Sequence, residues 1–254
     1  MDKSKTLIIS IPMHPAIYVA LLLFVIPLFT VAKTALLYTL NDIGIGYPYD
    51  YLIVIAIFYI SIVTSVINIR VIEKKSGVFS LVVERGYVYF LGIPIPVISS
   101  KLVENKVIIA VNVGGALIPV IVSLVISSYI VSKGLLSFQE ILIPVIITAL
   151  TTFIVSKPIP RVGIATPAFI PPSIAMLSSI FFIGLKPIAP IVAYISGSIG
   201  SLVGADILRL SIEYKSFVNK YGPSILSIGG AGTFDGIYLS GILALLFTTI
   251  ITRI

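Results

Sequence analysis

A chain of 254 residues that is 58% hydrophobic and 11% charged, with a mean hydropathy of +1.16, is far from the composition of a water-soluble domain and reads as an integral membrane protein. The absence of cysteine excludes disulfides and thiol chemistry. A net charge of +7 would suit nucleic acid, but no DNA or RNA motif accompanies it, and basic residues ranked on one membrane face account for it.

The N-terminal stretch "MDKSKTLIISIPMHPAIYVALLLFVIPLFT" has no small-residue cleavage site after its apolar run, so it reads as an uncleaved first span rather than a signal peptide. Apolar runs able to cross about 30 Å of hydrocarbon follow in order at 15–39, 50–69, 113–132, 141–156, 167–184, 188–208 and 236–252. The fourth and fifth carry Pro144 and the Pro167, Pro171, Pro172 cluster, whose freed backbone groups need neighbouring helices; counts of six or eight also fit. With seven spans and the N-terminus inside, the inner segments hold Lys3, Lys5, Arg70, Lys74, Lys75, Arg85, Lys101, Lys106, Lys157, Arg161, Arg209, Lys215 and Lys220. That is 13 of the 17 basic residues, the asymmetry expected of a cytoplasmic face. The expected fold is an all-α polytopic membrane protein of the cell membrane, a single domain over 1–254, N-terminus in and C-terminus out.

One segment departs from the helical pattern. Residues 77–111 are rich in Val, Ile, Tyr and Phe and are cut by turn signals at Arg85-Gly86, Gly92 and Glu104-Asn105, which predicts a small cytoplasmic β element of two or more hairpins. Pro94 and Pro96 suit an edge or a loop of it.

Elimination narrows the chemistry. The one histidine, His14, cannot form the histidine pair of a zinc protease, and no Gly-x-Ser-x-Gly motif offers it a serine partner. No metal and no cofactor is expected. Of the ten acids, eight sit in tails, loops or span edges; Asp206 and Asp235 alone lie in apolar or glycine-rich sequence continuous with a span. They fall near the inner ends of the consecutive, antiparallel sixth and seventh spans, at similar depth. Ionised acids in hydrocarbon cost several kcal/mol, so such carboxylates pair or face a wet cavity. Two in contact cannot both ionise easily, leaving one acid and one base. The simpler alternatives are that Asp206, near Arg209, is an interfacial anchor and that Asp235 caps the seventh helix.

The stretch "AGTFDGIYLSGILALLF" resembles the Gly-x-Gly-Asp segment of presenilin and signal peptide peptidase, the intramembrane aspartyl proteases. By that resemblance Asp235 is one catalytic aspartate, Gly232 is the first glycine, and Thr233 and Phe234 complete a substrate-contacting turn. Phe234 stands where the family has its second glycine. Asp206 matches the other aspartate by position, with Ala205 in place of the family's tyrosine. In "TPAFIPPSI", Pro167, Ala168 and Phe169 are similar to the Pro-Ala-Leu segment that holds extended substrate. That segment follows both aspartates in presenilin and precedes them here, as in a permuted arrangement. The resemblance runs from residue 166 to the C-terminus, and the whole chain resembles an uncharacterised family of prokaryotic multi-pass proteins.

The resemblance implies a hydrolase that cleaves single-span or signal-type peptides with an aspartate dyad and an activated water, and whose partners are membrane lipids and those substrates. Gly229 to Gly232 and Pro167 to Pro172 would offer backbone for strand addition. A proton- or ion-coupled transporter using the same acids is the competing expectation. Gly197, Gly200, Ser201 and Gly204, at three- and four-residue spacing, predict close helix packing on a face other than that of Asp206.

Overall fold

The computed structural model describes residues 7–9, 15–90, 93–159, 163–213, 225–230 and 236–253. Among the described residues seven helices form: α1 (Pro15–Asp42), α2 (Tyr49–Thr64), α3 (Val113–Ser132), α4 (Phe138–Val155), α5 (Ile170–Ile183), α6 (Ala189–Glu213) and α7 (Gly236–Arg253). Each coincides with a run of apolar sequence expected to span. Among the described residues three of them, α3, α4 and α6, are long and apolar enough to cross a membrane. The outward faces of α3 and α4 are apolar as well: Leu124, Leu150 and Ile154 are exposed. Large apolar side chains turned outward along such helices mark a membrane protein.

Consecutive helices alternate in direction. One end of the bundle carries the loops 43–48, 133–137 and 184–188, and there the Arg253 guanidinium meets the Asp42 carboxylate at 2.6 Å. Tyr129 Oη also donates to the Gly44 carbonyl at that end. The opposite end carries all the β structure.

The helices differ in how much of their surface is covered. On α1 the buried positions Ala32, Ala35, Leu36, Thr39 and Leu40 follow the i, i+3, i+4 stripe of a one-sided helix. On α6 every residue from Ala189 to Ser198 is buried, and 72% of its most apolar window is covered against 28% for α4. α6 is therefore the central helix, and whatever its side chains carry is held inside the bundle. It runs through two π-helical stretches, Ser196–Gly200 and Leu202–Arg209, a local widening found often at functional sites.

The start of α4 is fixed by a capping box. Ser137 Oγ accepts from Glu140 N–H, and Glu140 Oε2 accepts from Ser137 N–H at 2.7 Å. These are the reciprocal bonds an S-x-x-E sequence makes at an N-terminus. Ser137→Ala should lower unfolding stability by about 1 kcal/mol, read as a modest drop in melting temperature in detergent.

The chain is mostly helical, and the β structure is larger than the small hairpin element the sequence predicts. β1 (Leu7–Ile9), β2 (Ile67–Phe90), β3 (Ile93–Asn112) and β6 (Ile225–Ile228) form one sheet in the order β1-β2-β3-β6. Separately, β4 (Lys157–Ile159) and β5 (Gly163–Ala165) pair antiparallel. The element begins ten residues before the predicted 77–111 and is one hairpin rather than several. Phe90 pairs with Ile93, and Arg85-Gly86 and Glu104-Asn105 lie within the two strands; the Gly92 signal falls outside the described residues. Cross-strand pairing runs unbroken through Arg85-Gly86 and overrides its turn propensity, whereas at Glu104-Asn105 the ladder slips, between Lys75 and Phe79 on β2, and it slips again between Arg70 and Ile72. Pro94 and Pro96 pair with Tyr89 and Tyr87 on β2, and among the described residues β6 joins β3 at Ile108–Val111, away from both prolines, as suits an edge position.

Candidate functional site

Glycine spacing sets the rotation of α6. A Cβ added at Gly204 would lie 2.3 Å from the Ala149 carbonyl oxygen and 2.8 Å from Thr152 Cβ, and one at Gly200 would lie 2.7 Å from Thr148 Cβ. These two glycines bring α6 onto α4. Gly197 turns the other way, toward Ser240 and Gly241 of α7, and Ser201 Oγ and Ser240 Oγ meet at 2.9 Å between the same helices. The expected close packing is thus present on two sides, and Asp206 takes neither.

Asp206 turns toward the base of the sheet. Its side chain is buried, and Oδ2 accepts the Gly229 N–H at 2.5 Å. Gly229 ends β6 with φ +84°, and an added Cβ would lie 2.4 Å from Ala116 Cβ. The Gly229 carbonyl in turn occupies the space beside Gly115 that a side chain would fill. Three backbones therefore converge on one carboxylate: the start of α3, the end of β6 and the inner face of α6. A charge-assisted bond from a fixed N–H holds the carboxyl group in one orientation.

A polar node supports that convergence. Asn112, buried at the N-cap of α3, accepts the Gly115 N–H on Oδ1 at 2.7 Å. Its amide donates to the Ser65 carbonyl at 2.6 Å and to Asn68 Oδ1 at 3.1 Å. Ser227 Oγ stands 2.6 Å from both Asn68 Oδ1 and the Gly230 carbonyl, and its single proton serves one of them at a time. Asn68, Asn112 and Ser227 were not among the residues expected to matter. The available signal was an asparagine within each of the apolar runs "VINIRVI" and "AVNVGG", a residue type that strands disfavour.

Beside Asp206 lies a cavity of about 190 Å³, walled by Thr152, Thr166, Pro167, Ala168 and Ser201. The structure thus brings Pro167 and Ala168 to the same cavity as Asp206 although 38 residues separate Ala168 from the acid. Phe169 is 67% exposed and is not part of the wall. Gly232, Thr233, Phe234 and Asp235 lie outside the described residues; the chain on either side of them is Gly230, one residue beyond the N–H donor to Asp206, and Gly236, where α7 begins. A larger groove, about 630 Å³, opens at the other end of the bundle between α2 and α3 and is lined mainly by apolar side chains, with Lys133 at its edge. It holds no acid. Among the described residues no three His, Cys, Asp or Glu side chains gather as metal ligands would.

A family model described as "Protein of unknown function (DUF1614)" matches residues 62–247. The chain belongs to that family. The matched stretch takes in the long hairpin, the Pro167–Ala168 segment, Asp206 and the start of α7. No curated protein and no solved structure matches the chain.

Proposed function

We propose that this protein is an intramembrane aspartic hydrolase of the presenilin type, with Asp206 and Asp235 as the dyad and single-span or signal-type peptides as substrates. The observation that carries the reading is the buried, oriented Asp206 carboxylate opening on a cavity that the Pro167–Ala168 backbone helps to wall. An acid at the base of a small cavity can hold a water, and an extended segment along the rim can pair with an unwound substrate by strand addition.

In this reading one aspartate, ionised, takes a proton from water as the water oxygen bonds to the scissile carbonyl carbon. The other, protonated, gives its proton to the departing amine as the C–N bond breaks. The sheet-bearing end faces the cytoplasm, because the segments on that side carry 13 of the 17 basic residues. Seven crossings of the cell membrane then put the C-terminus outside, with lipids and peptides, not nucleic acid, as partners.

One observation favours a proton- or ion-coupled carrier instead: α6 is π-helical on either side of Ser201 and through Asp206, and irregular helices beside a buried acid are a feature of transporters. Purified protein incubated with a panel of transmembrane peptides separates the two. The hydrolase cleaves at least one peptide and is inhibited by a statine-like hydroxyl mimic of the tetrahedral intermediate. Asp235-dependent proton or sodium flux in liposomes, without cleavage of any peptide, would replace it with the carrier.

A further inference from the structure

α2 and α3 meet closely near the sheet and part toward the other end of the bundle. Gly114 sets the start of α3 against the Ser61 carbonyl of α2, where a side chain would clash. Toward the loops 43–48 and 133–137 the same helices leave between them the groove of about 630 Å³. Tyr129 Oη donates to the Gly44 carbonyl at 3.0 Å, which ties the α3 wall to the loop that precedes α2.

The groove follows α3 through the depth of one leaflet. Ile121, Val122, Val125, Ile126, Tyr129 and Lys133 line it, at the three- and four-residue spacing of a single helix face. Ile121 to Lys133 covers about 18 Å at 1.5 Å per residue, against about 15 Å for half of a hydrocarbon core. The polar side chains of the wall, Tyr49, Tyr129 and Lys133, all stand at the loop end. Tyr38, Tyr47 and Tyr51 are exposed at that end too, and tyrosines gather where hydrocarbon gives way to water.

Charge completes the pattern. The acids described at this end are engaged elsewhere: Asp42 by Arg253, Asp50 by the Tyr51 N–H and the Asn41 amide, and Glu140 by the Ser137 N–H. Among the described residues no carboxylate pairs with Lys133. Its ammonium lies 5.9 Å from the Tyr129 ring centroid, a cation–π contact that keeps it at the mouth of the groove.

We infer that this groove is a binding site for an anionic phospholipid, with one acyl chain between α2 and α3 and the phosphate at Lys133. Apolar walls one leaflet deep give a hydrocarbon chain dispersion contacts along its length, and the lone cation stands where the headgroup of such a chain would lie. A choline headgroup would bring a second cation beside the lysine, so a headgroup of net negative charge is preferred. The site is at the opposite end of the bundle from Asp206 and does not depend on the hydrolase reading.

The chain has no tryptophan, so a single introduced indole reports one place. Leu52→Trp puts it on the α2 wall at a side chain 58% exposed; Leu150→Trp, on the outward face of α4 and 52% exposed, reports ordinary lipid contact. Each full-length variant is placed in phosphatidylcholine vesicles containing a small fraction of phosphatidylglycerol or phosphatidylcholine with brominated acyl chains, which quench indole on contact. At Leu52→Trp the brominated phosphatidylglycerol should be favoured about 5-fold, the preference that one lysine gives an anionic lipid. At Leu150→Trp the two should quench equally. Adding Lys133→Gln, at an exposed helix end, should abolish the preference at Leu52→Trp, whereas Lys186→Gln, at the same end but outside the groove, should leave it. Equal quenching of Leu52→Trp by the two lipids would overturn the inference, and so would a preference that survives Lys133→Gln. Quenching by neither lipid would mean that protein, such as a second copy of the chain, covers the groove. Loss of the preference on adding inorganic phosphate at constant ionic strength would assign Lys133 to free phosphate instead. Native mass spectrometry without any tryptophan guards against a misfolded reporter: the unmodified protein should retain one phosphatidylglycerol more than Lys133→Gln does, and equal numbers would also overturn the site.

Discussion

Asp206→Asn should, on the proposed hydrolase reading, lower peptide cleavage by about 100-fold or more, the usual loss when an acid–base group is removed, while folding is nearly unchanged. The reason for the second half is specific to this site. Asparagine is almost isosteric, and its carbonyl oxygen can accept the Gly229 N–H that Oδ2 accepts now, so the contact between α6 and the end of β6 survives the substitution. What is lost is the ability to exchange a proton with water or with a leaving amine. Asp235→Asn should have an effect of the same size. The double variant should be little worse than either single one, because residues that act as a unit are grossly non-additive. Cleavage rate and thermal melting, measured on the same preparations, check both halves. Either single variant keeping more than about a tenth of the wild-type rate would sink the dyad.

Gly229→Ala should damage both the fold and the site. With φ at +84° the new side chain meets backbone strain of about 1–2 kcal/mol, and its Cβ would fall 2.4 Å from Ala116 Cβ and 2.7 Å from the Ala116 nitrogen. Overpacking of that kind adds about 1–3 kcal/mol. Relief requires β6 to move away from α3, which draws the Gly229 N–H off Asp206, so stability and activity should fall together. Gly134 provides the control. Its φ is +65° but nothing lies within 4 Å of an added Cβ, so Gly134→Ala should show the strain alone and leave activity untouched. Adding Ala116→Gly to Gly229→Ala should restore part of the loss, since it removes the nearer of the two clashes; neighbours that share a contact couple in this way. A melting temperature for Gly229→Ala equal to that of Gly134→Ala would mean that the close approach of the two backbones has no energetic weight.

The same residues mark how far local sequence can be read. Among the described residues the seven apolar runs coincide with seven helices, because length and hydropathy act within one segment and need no partner to be recognised. The ends moved where a neighbour took over. The run predicted to continue to residue 69 stops at Thr64, because Ile67 pairs with Ile9 and Asn68 with Asn112. The span predicted from Pro167 starts as helix at Ile170, because the prolines at 171 and 172 are admitted in a first turn and residues 163–165 are drawn into β5. The turn signal at Arg85-Gly86 lost to the ladder between β2 and β3, whose many paired residues outweigh one local preference, and the one at Glu104-Asn105 survives as a slip in that ladder rather than a reversal.

What the sequence by itself determined is the part of this protein that depends on composition and spacing: the apolar segments, the basic residues gathered into alternate connections, the glycines that let α6 approach two neighbours, and Asp206 as an acid within a span. Only the tertiary structure decided what Asp206 faces. Its partner Gly229 is 23 residues away in sequence, and the asparagine at 68 and the serine at 227 that brace the end of β6 are 159 apart. β6 itself is four residues long, too short for any periodicity to announce it. Such contacts arise because buried N–H and carboxylate groups must find partners once α6 is packed on all sides, and the nearest partners are chosen by where the helices and the sheet come together rather than by any pattern along the chain.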